Sequence, residues 1–258
     1  MDLGLNGKTA LVLGGGGGLG GAIAKALSGE GVQVAVADID AKAVDGTLSA
    51  LSGKKLGLVW DLADLAQIEG HIARIEAELG PVDILVNNTG GPPPTTASGQ
   101  DSAVWAKYFQ SMVLSVIAIT DRVLPGMKAQ HWGRIITSTS SGVVSPIPNL
   151  GMSNALRLSL VGWSKTLARE IGRDGITANI ILPGRIATDR IKFLDEAKAK
   201  REGRSVEQVS VESTGTIPLG RYGKPEEYAD VVTFLASERA AYLTGSVIRV
   251  DGGLIASI

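Results

Sequence analysis

The 258-residue chain contains no cysteine. Disulfides, cysteine nucleophiles and thiolate metal sites are therefore excluded, and the composition fits a reducing compartment. An excess of charge of either sign is also missing. The formal net charge is −1, so nothing points to nucleic acid or to an acidic membrane surface as a partner. No apolar run approaches the length of a membrane span. The opening residues, MDLGLNGKTALVLGG, lack signal-peptide architecture and enter an apolar run almost at once. A cytoplasmic protein is the expectation. Internal repeats, low-complexity linkers and a second domain are absent too. The whole of 1–258 reads as one domain, long enough to bury a substantial core. No metal site is expected. The two histidines do not suggest one: His71 falls in a helical stretch as a solvated residue, and His131 in a loop before a strand.

What the chain has in abundance is glycine, and Leu11 to Leu27, LVLGGGGGLGGAIAKAL, organises the rest. Thr9 to Leu13 reads as a buried strand. Gly14 to Gly18 follow, then Leu19, Gly20 and Gly21, and then AIAKAL with helical spacing. Strand, glycine turn and helix is the layout of a nucleotide-binding βα unit, in which bare backbone lets phosphate oxygens approach a helix N-terminus. A flexible linker is the competing reading, but linkers are not usually set between a β-rich run and an amphipathic helix.

Further strands are expected at Val32–Ala37, Leu56–Trp60, Val82–Val86, Arg134–Thr137 and Thr177–Leu182. Long helices are expected over about Asp64–Leu79, Ser102–Leu124 and Leu150–Ile171. Alternating strands and helices imply an α/β fold with a doubly wound parallel sheet. Asp38 closes the second strand, 20 residues after Gly18. An acid there accepts hydrogen bonds from the adenosine ribose and repels a 2′-phosphate. A plain turn residue is the alternative. Ile39 and Asp40 follow, with no cation at once, so NAD is favoured over NADP. Gly91-Pro92-Pro93-Pro94 forms a stiff loop. It either walls a substrate pocket or is a rigid surface loop.

The Gly14-x-x-x-Gly18-x-Gly20 spacing, Asn87-Asn88-Thr89-Gly90, Pro183-Gly184-Arg185-Ile186-Ala187-Thr188 and the tail IPLGRYGKPEEYADVVTFLAS…YLTGSVIRVDGG resemble the short-chain dehydrogenase/reductase family, in particular its 3-oxoacyl-carrier-protein reductases. Leu13 stands where that family usually has Thr. The resemblance implies a Rossmann-like fold, in which the tail adds a last helix and a seventh strand, Ser246–Val250, to give a seven-stranded parallel sheet with helices on both faces, and a cofactor site. Its residues would be Gly14, Gly16, Gly17, Gly18, Leu19, Gly20, Asp38, Asp61, Leu62, Asn88, Gly90, Pro183, Gly184, Ile186 and Thr188. Asp61 and Leu62 would flank the adenine, and the segment 183–188 would contact the nicotinamide carboxamide. The resemblance also implies a lid at about 189–216 and a homotetramer, or a homodimer.

The family's proton chemistry uses a Tyr, a Lys four residues later, a Ser thirteen residues before the Tyr, and an Asn on the preceding helix. Aligned on Gly133–Glu170, these positions fall on Ser153, Arg157, Ser140 and Met112. No Tyr-x-x-x-Lys occurs anywhere in the chain, and Tyr108, Tyr222, Tyr228 and Tyr242 are not placed to substitute. A serine hydroxyl is a far weaker acid than a phenol, whose ordinary pKa is about 10. A guanidinium stays charged and exchanges no proton. The implied function is an NAD(P)-dependent oxidoreductase with an atypical site, in which Ser140, Ser153 and Arg157 handle the substrate oxygen and Arg157 also reaches the nicotinamide ribose. Two alternatives stand beside it. One is a lyase or isomerase that retains NAD, with Arg157 and Arg185 clamping a carboxylate or phosphate. The other is a catalytically silent dinucleotide-binding protein.

Overall fold

The structure is a computed structural model that describes residues 2–258. Seven parallel strands form one sheet in the order β3-β2-β1-β4-β5-β6-β7. They are β1 Thr9–Leu13, β2 Gln33–Asp38, β3 Lys55–Val59, β4 Ile84–Asn87, β5 Gly133–Ser138, β6 Ile176–Pro183 and β7 Val247–Val250. The expected strands all exist: β1 has the expected bounds, and the others differ from expectation by one or two residues at one or both ends. The helices are α1 Gly18–Gly29, α2 Ala41–Ser49, α3 Ile68–Glu78, α4 Ser102–Phe109, α5 Ser115–Gln130, α6 Gly151–Ile171, α7 Asp189–Glu202, α8 Val206–Gly215 and α9 Pro225–Ala236.

Side-chain alternation divides the core in two. Leu11, Leu13, Ala35, Leu85 and Ile135 face one way, against Ile72 and Ile75 of α3, Ile119 and Val123 of α5, and Leu167 and Ile171 of α6. Ala10, Val12, Val34, Val36 and Ile136 face the other way, against Ile23 and Leu27 of α1 and Val232 and Leu235 of α9. With both faces covered, the central strands read as unbroken apolar runs. The strand order reverses between β1 and β4, and that reversal opens a crevice at the carboxyl ends of the strands, where ligands bind in such sheets.

Three expectations need correction. The helix expected over Ser102–Leu124 is two helices joined by a π-turn, Gln110–Leu114, where the Ser115 N–H bonds to the Gln110 carbonyl. It also runs past Pro125 to Gln130, because that proline sits mid-helix where packing of Val123 and Met127 on the sheet outweighs one lost backbone bond. By length and composition alone Ser102–Gln130 could cross a membrane, although no such span was expected. Here Val116, Ile119, Val123 and Met127 are buried in the protein's own core. His71 is not simply solvated: its ring packs 4.6 Å from the Trp60 ring, and burial lowers its pKa. His131, the left-handed cap of α5, lies at the opposite end of the sheet from the crevice.

Candidate active site

The glycine turn is built for close approach. A Cβ on Gly20 would lie 2.0 Å from the Gly14 carbonyl oxygen, so α1 can start against β1 only with glycine there. Gly14 and Gly18 have left-handed φ values of 57° and 52°, which cost glycine little. Gly17 faces open space. Asp38 at the end of β2 accepts the Gly16 N–H at 3.0 Å through Oδ2 and the Asp40 N–H at 3.2 Å through Oδ1. Asn88 at the end of β4 donates from Nδ2 to the Gly14 carbonyl at 3.2 Å. Asn87 donates to Thr137 and Thr120, tying β4 to β5 and α5.

These elements border one cavity of about 1030 Å³, at the upper end of the roughly 300–1,000 Å³ usual for small-ligand sites. Gly14, Gly16, Gly17, Gly18, Leu19 and Asp38 line one end, with Trp60, Asp61 and Leu62 beside them. Asn88, Gly90, Pro183, Gly184, Ile186 and Thr188 continue the wall towards Ser140, Ser153 and Arg157. Gly20 alone of the expected residues is not in the lining; it acts from behind by admitting the Gly14 carbonyl. The cavity fits an elongated dinucleotide. It offers a side-chain-free turn at a helix N-terminus, and two of its lining residues, Trp60 and Thr139, keep buried polar atoms without a partner among the described residues.

At the deep end, Ser153 and Arg157 lie one turn apart on α6, both buried. The Arg157 guanidinium donates from Nη2 to the Thr89 and Gly90 carbonyls at 3.0 and 3.1 Å, and from Nη1 to the Ser138 carbonyl at 3.4 Å. Two of its five N–H groups are left over. Burial, and then the Arg190 charge, push its pKa down to about 10, so it remains a cation at neutral pH. Ser140 accepts the Gly142 N–H at 3.1 Å, which leaves its own O–H free to donate.

Of the tyrosines, Tyr228 is buried, bonds Ser138 Oγ at 2.8 Å, and has its pKa raised by burial. The Tyr222 hydroxyl donates to Asp195 Oδ2 at 2.6 Å, and Tyr242 is exposed. Tyr108 does line the cavity, with Ser111 and Met112. The sequence sets it aside as not placed to substitute for the missing tyrosine, yet it borders the same cavity one turn before Met112. Arg185 is also different from expectation. Its Nη1 pairs with the buried Asp195 at 2.7 Å, which removes it as a free anion clamp. The cation that does approach Arg157 is Arg190, in the first turn of α7, whose Nη2 donates to the Pro92 carbonyl at 2.8 Å. The triple-proline loop thus reaches the cavity by holding Arg190 and through lining residue Gly91.

A doubly wound sheet with this glycine turn and this crevice defines a dinucleotide-binding α/β protein. A family profile described as "Enoyl-(Acyl carrier protein) reductase" matches residues 15–255. The chain is 38% identical to the 3-oxoacyl-[acyl-carrier-protein] reductase FabG of Escherichia coli K12 over 253 residues, 96% of this chain and 97% of that one. Among solved structures, L-sorbose reductase from Gluconobacter frateurii, complexed with NADPH and L-sorbose, superposes with a TM-score of 0.92 at 31% identity over 100% of both chains. YwfH, an NADPH-dependent reductase involved in bacilysin biosynthesis, gives 0.92 at 28% identity, covering 97% of this chain and 99% of its own. The chain belongs to the short-chain dehydrogenase/reductase family.

Proposed function

We propose that the protein is an NAD(P)-dependent oxidoreductase acting on a carbonyl, alcohol or enone in an active site where Ser153 and Arg157 stand in place of a Tyr/Lys pair. The observation that carries this reading is the buried, charged Arg157 held by three backbone carbonyls beside Ser153 and across from Ser140. The bound dinucleotide supplies or accepts the hydride. Ser140 and Ser153 hydrogen-bond the substrate oxygen. Arg157, itself buried, stabilises negative charge that develops there. None of the three delivers a proton. General acid–base catalysis is typically worth about 10²–10⁴ in rate, so ordinary ketone reduction is slow here. Conjugate reduction of an enone suits the site better, because carbon takes its proton from water while Arg157 holds the enolate.

NAD is the preferred cofactor. Asp38 is fixed by two backbone N–H groups at the ribose end of the cavity, where its charge opposes a 2′-phosphate. L-sorbose reductase is complexed with NADPH and YwfH is NADPH dependent, and the NAD preference of the present chain rests on Asp38. Helices α7 and α8 correspond to a lid over the substrate, and a cytoplasmic setting and a homotetramer complete the reading. The test is NADH oxidation by the purified protein across a panel of enones and ketones. Enones are expected to react fastest. Tight dinucleotide binding with no oxidation of NADH at high enzyme concentration would sink the proposal in favour of a silent dinucleotide-binding protein.

A further inference from the structure

Two cations converge at the deep end of the cavity without an anion between them. Arg157 comes from α6 and Arg190 from α7. A Cβ on Gly91 would lie 3.5 Å from Arg157 Nη2 and 3.4 Å from Arg190 Nη2, so both guanidiniums border the same point. Both residues line the cavity. Their hydrogen-bond partners are backbone carbonyls, those of Thr89, Gly90 and Ser138 for Arg157 and that of Pro92 for Arg190. Neither forms an ion pair with a carboxylate among the described residues. Asp189, next to Arg190 in sequence, is exposed and is not among its partners. Burial first, and then the Arg190 charge, lower the Arg157 pKa. Arg190 also sits at the positive end of the α7 dipole, an unfavourable place for a cation. Carbonyl dipoles offset part of this cost, and a bound anion would offset the rest. Both hydrogens of Arg157 Nη2 are spent on the Thr89 and Gly90 carbonyls, so at this point Arg157 contributes charge, and the remaining N–H groups of Arg190, whose one hydrogen bond is made by Nη2, supply the fork that matches a carboxylate.

We propose that Arg190, with the Arg157 charge beside it, binds the carboxylate of the substrate, so that the enzyme acts on a carboxylated enone or ketone. This rests on the oxidoreductase reading above. For an enone acid the hydride bonds to an alkene carbon, the C=C electron pair moves to form the enolate, and water gives a proton to the neighbouring carbon while NAD(P)H is oxidised. The cofactor's own pyrophosphate is the other anion available. It has its own cradle at Gly17 and Gly18, which meets Thr188 rather than Gly91.

The probes are β-acetylacrylate and its methyl ester. Calorimetry on the protein saturated with NAD is expected to show the acid binding about 10- to 100-fold more tightly than the ester, the range for charged hydrogen bonds. Arg190→Gln should erase that preference, Arg190→Lys should restore part of it, and both should leave NAD affinity within about twofold, since each 1.4 kcal/mol is a factor of ten. Equal binding of acid and ester by the unmodified protein overturns the proposal. So does a parallel loss of NAD affinity in Arg190→Gln, which would assign the anion to the cofactor. Selective binding of the acid without NADH oxidation would support the clamp and remove the oxidoreductase reading. NADH oxidation at equal rates with acid and ester would do the opposite.

Discussion

Asp38 makes the sharpest single-residue demand on function. Its two oxygens are already held by the N–H groups of Gly16 and Asp40, so it cannot turn aside for a phosphate. Replacing Asp38 by Ser and the exposed Ile39 by Arg removes one repulsion and adds one attraction. The ratio of kcat/KM for NADPH over NADH should rise by roughly tenfold or more, equivalent to about 1.4 kcal/mol; an unchanged ratio means that Asp38 does not read the ribose. This residue was legible because a strand end and a fixed spacing locate it. Ser153 and Arg157 were legible as occupants of two aligned positions on one helix face. Arg190 was not, because its meaning depends on the fold bringing the start of α7 against Gly91 and Pro92, some hundred residues away in sequence. Arg185 carries the same charge five residues earlier, and only the buried Asp195 partner distinguishes the two.

At the scale of the element, the β1–α1 turn and the start of α9 rest on different physics. Gly20→Ala would press a Cβ into the Gly14 carbonyl. Overpacking against backbone costs about 1–3 kcal/mol, so thermal unfolding should show a lower Tm together with weakened NADH binding. An unchanged Tm would mean that the turn can relax. The α9 terminus is electrostatic. Glu227 Oε2 accepts the Lys224 N–H at 2.7 Å, and both oxygens take the Arg221 guanidinium at 2.8 and 2.6 Å. Arg221 above all, and then the backbone bond, hold the Glu227 pKa down at about 2 from its ordinary 4.5. A carboxyl depressed in the folded state contributes stability that is present above the unfolded pKa and lost as pH falls through the folded one. The stability gap between the unmodified protein and Glu227→Gln should therefore be constant near neutrality and narrow below about pH 4.5; a gap independent of pH would assign the loss to packing. The strands and α9 could be read from period and punctuation. The π-turn at Gln110–Leu114 could not, since one extra residue in a helix leaves the apolar pattern almost unchanged, yet it shapes the wall that carries Ser111 and Met112.

Across the whole molecule, the two sheet faces are covered while large apolar side chains stay exposed on several elements, and two of these surfaces bear on assembly. One lies on the outer helices, with Phe109 at 43% and Leu158 at 51% exposure. The other follows β7, a sheet edge bonded only to β6, with Val247 at 42% and Tyr242 and Ile258 exposed. Unpaired edges and contiguous apolar patches are surfaces that proteins cover. Two separate patches, each meeting its own copy about a two-fold axis, close into a tetramer of dihedral symmetry. Light scattering on the purified protein should report four chains of 26.7 kDa. Leu158→Arg should disable one interface and Val247→Arg the other, each leaving dimers, and the double variant should be monomeric. The dimers held by the intact interface should differ, so cross-linking through the helix surface should survive only in Val247→Arg. A monomer at micromolar concentration in the unmodified protein would overturn the assignment of both surfaces, and a tetramer unaffected by either arginine would move the contacts elsewhere on the fold.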